Sequence, residues 1–240
     1  MGILAGACSK QTSEDEQDTE TPSVEVEVEA QVETTPIPRE VVEETIPVVE
    51  QEITRYPGVP DNAFVYKRSL TRYAQYTFGL NAPVSTFAAQ VHKESTWRTD
   101  AKSPYATGLT QFTDSTAEWV GDKFAELGTG EPLDPEWSLR AMIYYMEWLD
   151  GNARGKDYCN SWSKALSMYN GGIGWTRRDE KLTEEAGKDP MLWWDNVELY
   201  SSRADWAFKE NRNYPVKIFE LQDLYKEAGF GENLVCNDRN

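Results

Sequence analysis

The chain has 240 residues and a formal net charge of −17, a length that fits one domain or one domain with a tail. The acidic excess argues against a nucleic-acid partner, because phosphate contacts need clustered Lys and Arg. No apolar run is long enough to span a bilayer as a helix.

The charge is uneven along the chain. Residues 9–55 hold 14 acidic side chains against only Lys10, Arg39 and Arg55, and they contain no aromatic residue. Such a segment buries too little apolar surface to offset its ordering entropy, so it reads as a disordered acidic linker. Within it, residues 24–29 alternate Val and Glu. As a strand they would set every Glu on one dense negative face. Aromatics begin at Tyr56, and all 9 Trp and 12 Tyr lie from there onward. The folded domain is therefore placed at residues 56–240, after residues 1–8 and the linker.

The domain reads as mainly α. Asn81 and Pro83 are the cap and first-turn Pro of a helix through Lys93, with Val84, Phe87, Ala88 and Val91 at helical spacing. Asp114 or Ser115 caps a helix through Leu127. Asp134-Pro135 starts one that Gly151 stops. Further helices are expected over 162–169, 201–211 and 216–227. No run of alternating strands builds a large sheet, and residues 108–112 are the best candidate for a small β-element.

Five short segments carry candidate chemistry. Glu94-Ser95 ends the first of these helices. Ala101-Lys102-Ser103 and Gly108-Leu109-Thr110-Gln111 follow it. Tyr169-Asn170-Gly171-Gly172 closes a later helix, and Glu210-Asn211-Arg212-Asn213-Tyr214 comes last. In this order and at these spacings they resemble the catalytic domain of the soluble lytic transglycosylases, from about residue 75 to about residue 225. There are departures. Thr110 stands where Met is common, Thr113-Asp114 replaces Met-Pro, Met168 replaces Ala, and Pro215 replaces Val.

The resemblance implies a lysozyme-like α-helical domain with its small β-element at the active-site cleft. It implies cleavage of the bond between N-acetylmuramic acid and N-acetylglucosamine in bacterial cell wall. One Glu, here Glu94, protonates the glycosidic oxygen. As carboxylate it then takes the proton of the 6-hydroxyl of the same muramic acid, which attacks the anomeric carbon and leaves a 1,6-anhydro end. No water is activated, so the second carboxylate of an ordinary glycosidase is not required. A carboxylic acid does this near neutral pH only when an apolar setting raises its pKa. Ser95 would orient that carboxylate by a hydrogen bond. Ser103, Gly108, Leu109, Gln111, Tyr169, Asn170 and Tyr214 are the implied substrate-binding residues. Gly108 would let backbone approach the sugar, and Tyr214 would close the cleft near the acid. Trp97, Tyr105, Trp193 and Trp194 stack on sugar rings or serve the core.

Other readings stay open. A lysozyme-like muramidase would hydrolyse the same bond and need a second carboxylate, with Asp100 and Asp114 the candidates. A non-catalytic wall-binding protein would keep the cleft. A phage-encoded enzyme would use the same chemistry in the virion or in host lysis. His92 is the only His and has no recognisable triad partners. No Cys/His ligand cluster points to a metal, and no cofactor is expected. The implied partner is the glycan strand, bound by a monomer.

The N-terminal Ala5-Gly6-Ala7-Cys8 resembles a bacterial lipobox, which makes Cys8 the lipidated residue and the linker a tether. The implied location is the cell envelope, in the periplasm or on the outer membrane. Cys159 and Cys236 are then a disulfide of an oxidising compartment or two buried thiols.

Overall fold

A computed structural model describes residues 56–236. Cys8, the alternating stretch 24–29 and the whole of segments 1–8 and 9–55 lie outside the described residues. Among the described residues the regular elements are helices: α1 (Asp61–Phe78), α2 (Val84–Ser95), α3 (Asp114–Lys123), α4 (Pro135–Asn152), α5 (Tyr158–Gly171), α6 (Ile173–Glu185) and α7 (Asp205–Glu227). Short 3-10 turns lie at Ala125–Leu127 and Val197–Leu199. None of the described helices is long and apolar enough to cross a membrane.

The central helix is α2. Every residue from Val84 to Val91 is buried, the polar Ser85, Thr86 and Gln90 included. A helix buried all round needs partners for its polar groups. The C-terminal segment supplies several. Ser85 Oγ donates to the Gly231 carbonyl at 2.7 Å, and Leu234 N–H donates to Thr86 Oγ1 at 3.0 Å. The same segment carries Cys236, joined by a disulfide to Cys159 at the start of α5, 77 positions earlier. Alongside α2 lie α7 and α1. Phe78, Phe87 and the fully buried Trp162 of α5 meet with ring centroids 5.3–5.7 Å apart. Aromatic area concentrated there anchors the helices around the core.

Local signals explain several boundaries. Asp134 caps α4 by accepting from Glu136 N–H at 3.0 Å, with Pro135 in the first turn. Gly172, at φ 85°, turns the chain out of α5. Other boundaries differ from expectation. Thr113, rather than Asp114 or Ser115, caps α3 through its hydroxyl. Gly151 does not stop α4, which runs on to Asn152. The two helices expected around Pro215 are one helix, α7, with Pro215 buried inside it. An interior Pro costs about 3 kcal/mol in an isolated helix. Here Tyr214, Ile218, Phe219 and Tyr225 are buried along α7, which packs on α2 and α5. That packing outweighs the lost backbone bond. Neither α1 nor α6 was expected. The buried residues of α6 are Thr176, Asp179 and Thr183, so it shows no apolar stripe to read.

The expected β-element is reduced to two isolated bridges, Lys102 with Thr107 and Thr107 with Phe112. The segment is a folded turn tied by Gly108 N–H to the Ala101 carbonyl at 2.8 Å.

Candidate active site

Glu94 sits in the last turn of α2, and the chain reverses directly after it. Thr96 and Trp97 both take positive φ, 53° and 62°. Two such residues in a row cost about 1–3 kcal/mol each unless their surroundings hold them. Trp97 supplies the hold. Its ring is fully buried, and its Nε1–H donates to the Tyr225 hydroxyl of α7 at 2.7 Å. Tyr225 in turn lies 2.8 Å from His92 Nδ1. Trp97 therefore serves the core and fixes the turn that presents Glu94. His92 belongs to the same packing.

The carboxyl points into a cleft of about 380 Å³ whose walls include Ser103, Gln111, Tyr169, Asn170 and Tyr214. Tyr214 donates its hydroxyl to Glu94 Oε1. The Tyr169 ring lies almost parallel to that of Tyr214, 12° apart in plane with centroids 6.4 Å apart. Its hydroxyl donates to the Thr110 carbonyl at 2.8 Å. Burial raises the Glu94 pKa to about 7, and Glu210 pushes it the same way, while the Tyr214 hydrogen bond and Lys93 pull it down. Burial first, and Glu94 second, hold both tyrosines well above the usual phenol range, so each stays a donor.

Gln111 takes φ 50° and spends its amide nitrogen on the Gly108 carbonyl at 2.9 Å and the Ala101 carbonyl at 3.2 Å. Ser103 Oγ accepts from Ala106 N–H at 2.9 Å, which shapes the rim beside Tyr105. Asn170 Oδ1 accepts from Asn211 Nδ2 at 3.1 Å, and Asn211 is itself bonded to Ser167.

Several expected roles differ in the structure. Ser95 Oγ donates to the Val91 carbonyl at 3.3 Å, one turn back along the helix, and not to Glu94. Leu109 is buried in the core. Gly108 is required by protein backbone rather than by a sugar. It sits at φ 80°, and a Cβ there would lie 1.7 Å from the Pro132 carbonyl oxygen. Trp193 is fully buried and Trp194 packs on Phe219, so neither is a free platform. Neither Asp100 nor Asp114 lines the cleft, whereas Glu210 and Tyr145 do. Glu210 stands inside the last motif, and Tyr145 lies in α4, outside all of the motifs.

Known proteins resemble this chain. The membrane-bound lytic murein transglycosylase F of Marinobacter nauticus is 32% identical over 132 residues, 53% of this chain and 25% of that protein. The protein of the same name from Shewanella frigidimarina is 33% identical over 112 residues, 45% of this chain and 22% of that one. The chain thus spans about a quarter of the length of the curated relatives it matches. Among solved structures, the 70 kDa soluble lytic transglycosylase of Escherichia coli superposes with a TM-score of 0.50 at 24% identity, over 70% of this chain and 25% of that one. A complex of the 70-kDa soluble lytic transglycosylase with bulgecin A gives 0.52 at 23% identity, over 74% and 26%. These two likenesses show the fold. The profile of the transglycosylase SLT domain matches residues 71–192, half of the chain and the whole stretch from α2 to α6, and the chain belongs to that family.

Proposed function

We propose that this domain is a peptidoglycan lytic transglycosylase with Glu94 as its general acid and then its base. The observation that carries the reading is one carboxyl, half-buried in a cleft, raised to about 7 and bonded to a tyrosine that stays protonated. At neutral pH a large fraction of Glu94 holds the proton it must deliver to the leaving N-acetylglucosamine oxygen. As the glycosidic bond breaks, the muramic acid 6-hydroxyl attacks C1 and returns a proton to the Glu94 carboxylate. The Tyr214 hydroxyl supports that carboxylate while it is charged. Ser103, Gln111 and Asn170 are proposed to contact the sugars, with Tyr169 and Tyr214 closing the inner wall. The names of the relatives and the family membership point the same way. The same proposal places the enzyme in the cell envelope, with Cys8 as the lipidated residue and residues 9–55 as the reach to the wall.

The test is product chemistry. Purified peptidoglycan is digested and the released muropeptides are weighed by mass spectrometry. Anhydro ends, lighter by one water than reducing ends, are expected. Hydrated reducing ends that disappear with Glu210→Gln would make the protein a muramidase, with Glu210 as the second carboxylate. Binding without release would leave a wall-binding protein.

The pH dependence has a definite sign. Activity requires protonated Glu94, so the rate falls as pH rises above about 7. The Tyr214 bond stabilises the carboxylate, and its removal raises the pKa further. Tyr214→Phe should therefore move the alkaline limb to higher pH while lowering the maximal rate. Turbidity clearance of a peptidoglycan suspension across pH reads both. An unmoved limb would mean that the Tyr214 hydroxyl does not act on Glu94.

A further inference from the structure

Asn211 is buried in α7, and its amide is fully engaged. Its Nδ2 donates to the Ser167 carbonyl at 2.9 Å and to Asn170 Oδ1 at 3.1 Å. Its Oδ1 accepts from Ser167 Oγ at 2.9 Å and from Arg212 Nη1 at 2.6 Å. Turning a side-chain amide over exchanges its oxygen and its nitrogen, and only the partners decide between the two directions. Here they decide it. A guanidinium can only donate and a carbonyl can only accept. A turned Asn211 would therefore set donor against donor at Arg212 and acceptor against acceptor at Ser167. Arg212 is itself held at 2.9 Å by the buried Asp179 carboxylate, which anchors the whole chain of bonds.

The direction chosen at Asn211 passes to the cleft wall. Asn211 offers an N–H to Asn170, so Asn170 must meet it with its oxygen. That leaves Nδ2 as the amide group that Asn170 can offer to the cleft it lines. No hydrogen bond among the described residues uses that nitrogen. The meeting of the two amides depends on Gly171, next to Asn170. A Cβ there would lie 2.7 Å from Asn211 Nδ2, so any larger residue would push Asn211 away. The polarity matters for one kind of substrate group. A sugar hydroxyl both gives and accepts, and would suit either direction. An acetamido carbonyl only accepts, and an Asn170 turned the other way would meet it oxygen to oxygen.

We propose that Asn211 is a positioning residue that fixes Asn170 as a hydrogen-bond donor in the cleft. It thereby favours strands that bring an acetamido carbonyl to that wall. The inference rests on the reading of the cleft as a glycan site.

The experiment is calorimetric binding of chitopentaose to the full chain carrying Glu94→Gln to prevent cleavage. Asn211→Asp keeps the outline of the side chain and the acceptor that Arg212 needs. It has no N–H for Asn170, whose amide then turns and offers its oxygen. The dissociation constant should rise about fivefold to tenfold. Asn170→Ala should raise it about as much, and adding Asn211→Asp to Asn170→Ala should change it no further. If Asn211→Asp does not fold, Asn211→Ser replaces it, with a hydroxyl too short to reach Asn170 and the same pattern expected. An equal loss with and without the Asn170 amide would overturn the proposal and make Asn211 a packing residue of α7. Unchanged binding in the single variants would overturn it as well and leave the cleft reading intact. No binding of chitopentaose by the parent would sink the glycan reading and the proposal together.

Discussion

Glu94→Gln should lower the rate of peptidoglycan solubilisation by about a thousandfold while leaving glycan binding in place. Gln keeps the shape of the side chain and can still accept from Tyr214, but it has no proton to deliver. The same substitution should make the protein more stable above neutral pH. Glu94 carries its proton more tightly folded, with a pKa of about 7, than unfolded, near 4.5. Its stabilising contribution is complete below about 4.5 and is lost as pH rises through 7. Above that, the charged carboxylate in its apolar setting costs about 2–3 kcal/mol, since each unit is worth about 1.4 kcal/mol and the cleft leaves the group partly exposed. Gln does not titrate and escapes this cost. Melting curves should therefore separate at pH 8, with the variant higher, and converge near pH 4. A variant that loses rate and stability together at pH 8 would instead mark Glu94 as a structural residue.

The residues that were legible in sequence are those whose side chains face the cleft within short, ordered segments. Glu94, Ser103, Gln111, Tyr169, Asn170 and Tyr214 come from five separate stretches, and the fold brings them to one cavity. Helix α2 was legible because its apolar residues repeat at helical spacing. What escaped depends on contacts far along the chain. The turn after Glu94 rests on a bond between Trp97 and Tyr225, 128 positions apart. Gly108 answers to the Pro132 carbonyl, which no local pattern reveals. Ser95 reads as a partner of its neighbour Glu94, yet a Ser at the end of a helix can reach back to the carbonyl four residues earlier, and here it does. Helix α7 crosses Pro215 because tertiary packing overrides a local breaker.

Asp179→Ala should lower the free energy of unfolding by about 3–5 kcal/mol, the usual consequence of removing one partner from a buried ion pair. Asp179 is fully buried, and two guanidinium groups converge on its Oδ2, Arg212 at 2.9 Å and Arg203 at 3.4 Å. Its Oδ1 accepts from Ser201 at 2.8 Å. Without the carboxylate, two cations stand close together under the chain with no opposing charge beside them. The effect should also reach the cleft. Arg212 donates to the carbonyls of Glu198 at 2.8 Å and Tyr200 at 2.9 Å, which ties down the loop before α7, and its Nη1 donates to Asn211 Oδ1. Asn211 then holds Asn170 in the cleft wall. Urea denaturation gives the stability change, and the Michaelis constant of the surviving folded protein gives the effect on sugar binding. The charge argument has its own control. Adding Arg203→Met to Asp179→Ala removes one stranded cation and should recover part of the lost stability. If the double variant is less stable than Asp179→Ala alone, the loss comes from packing around Asp179 and not from unpaired charge.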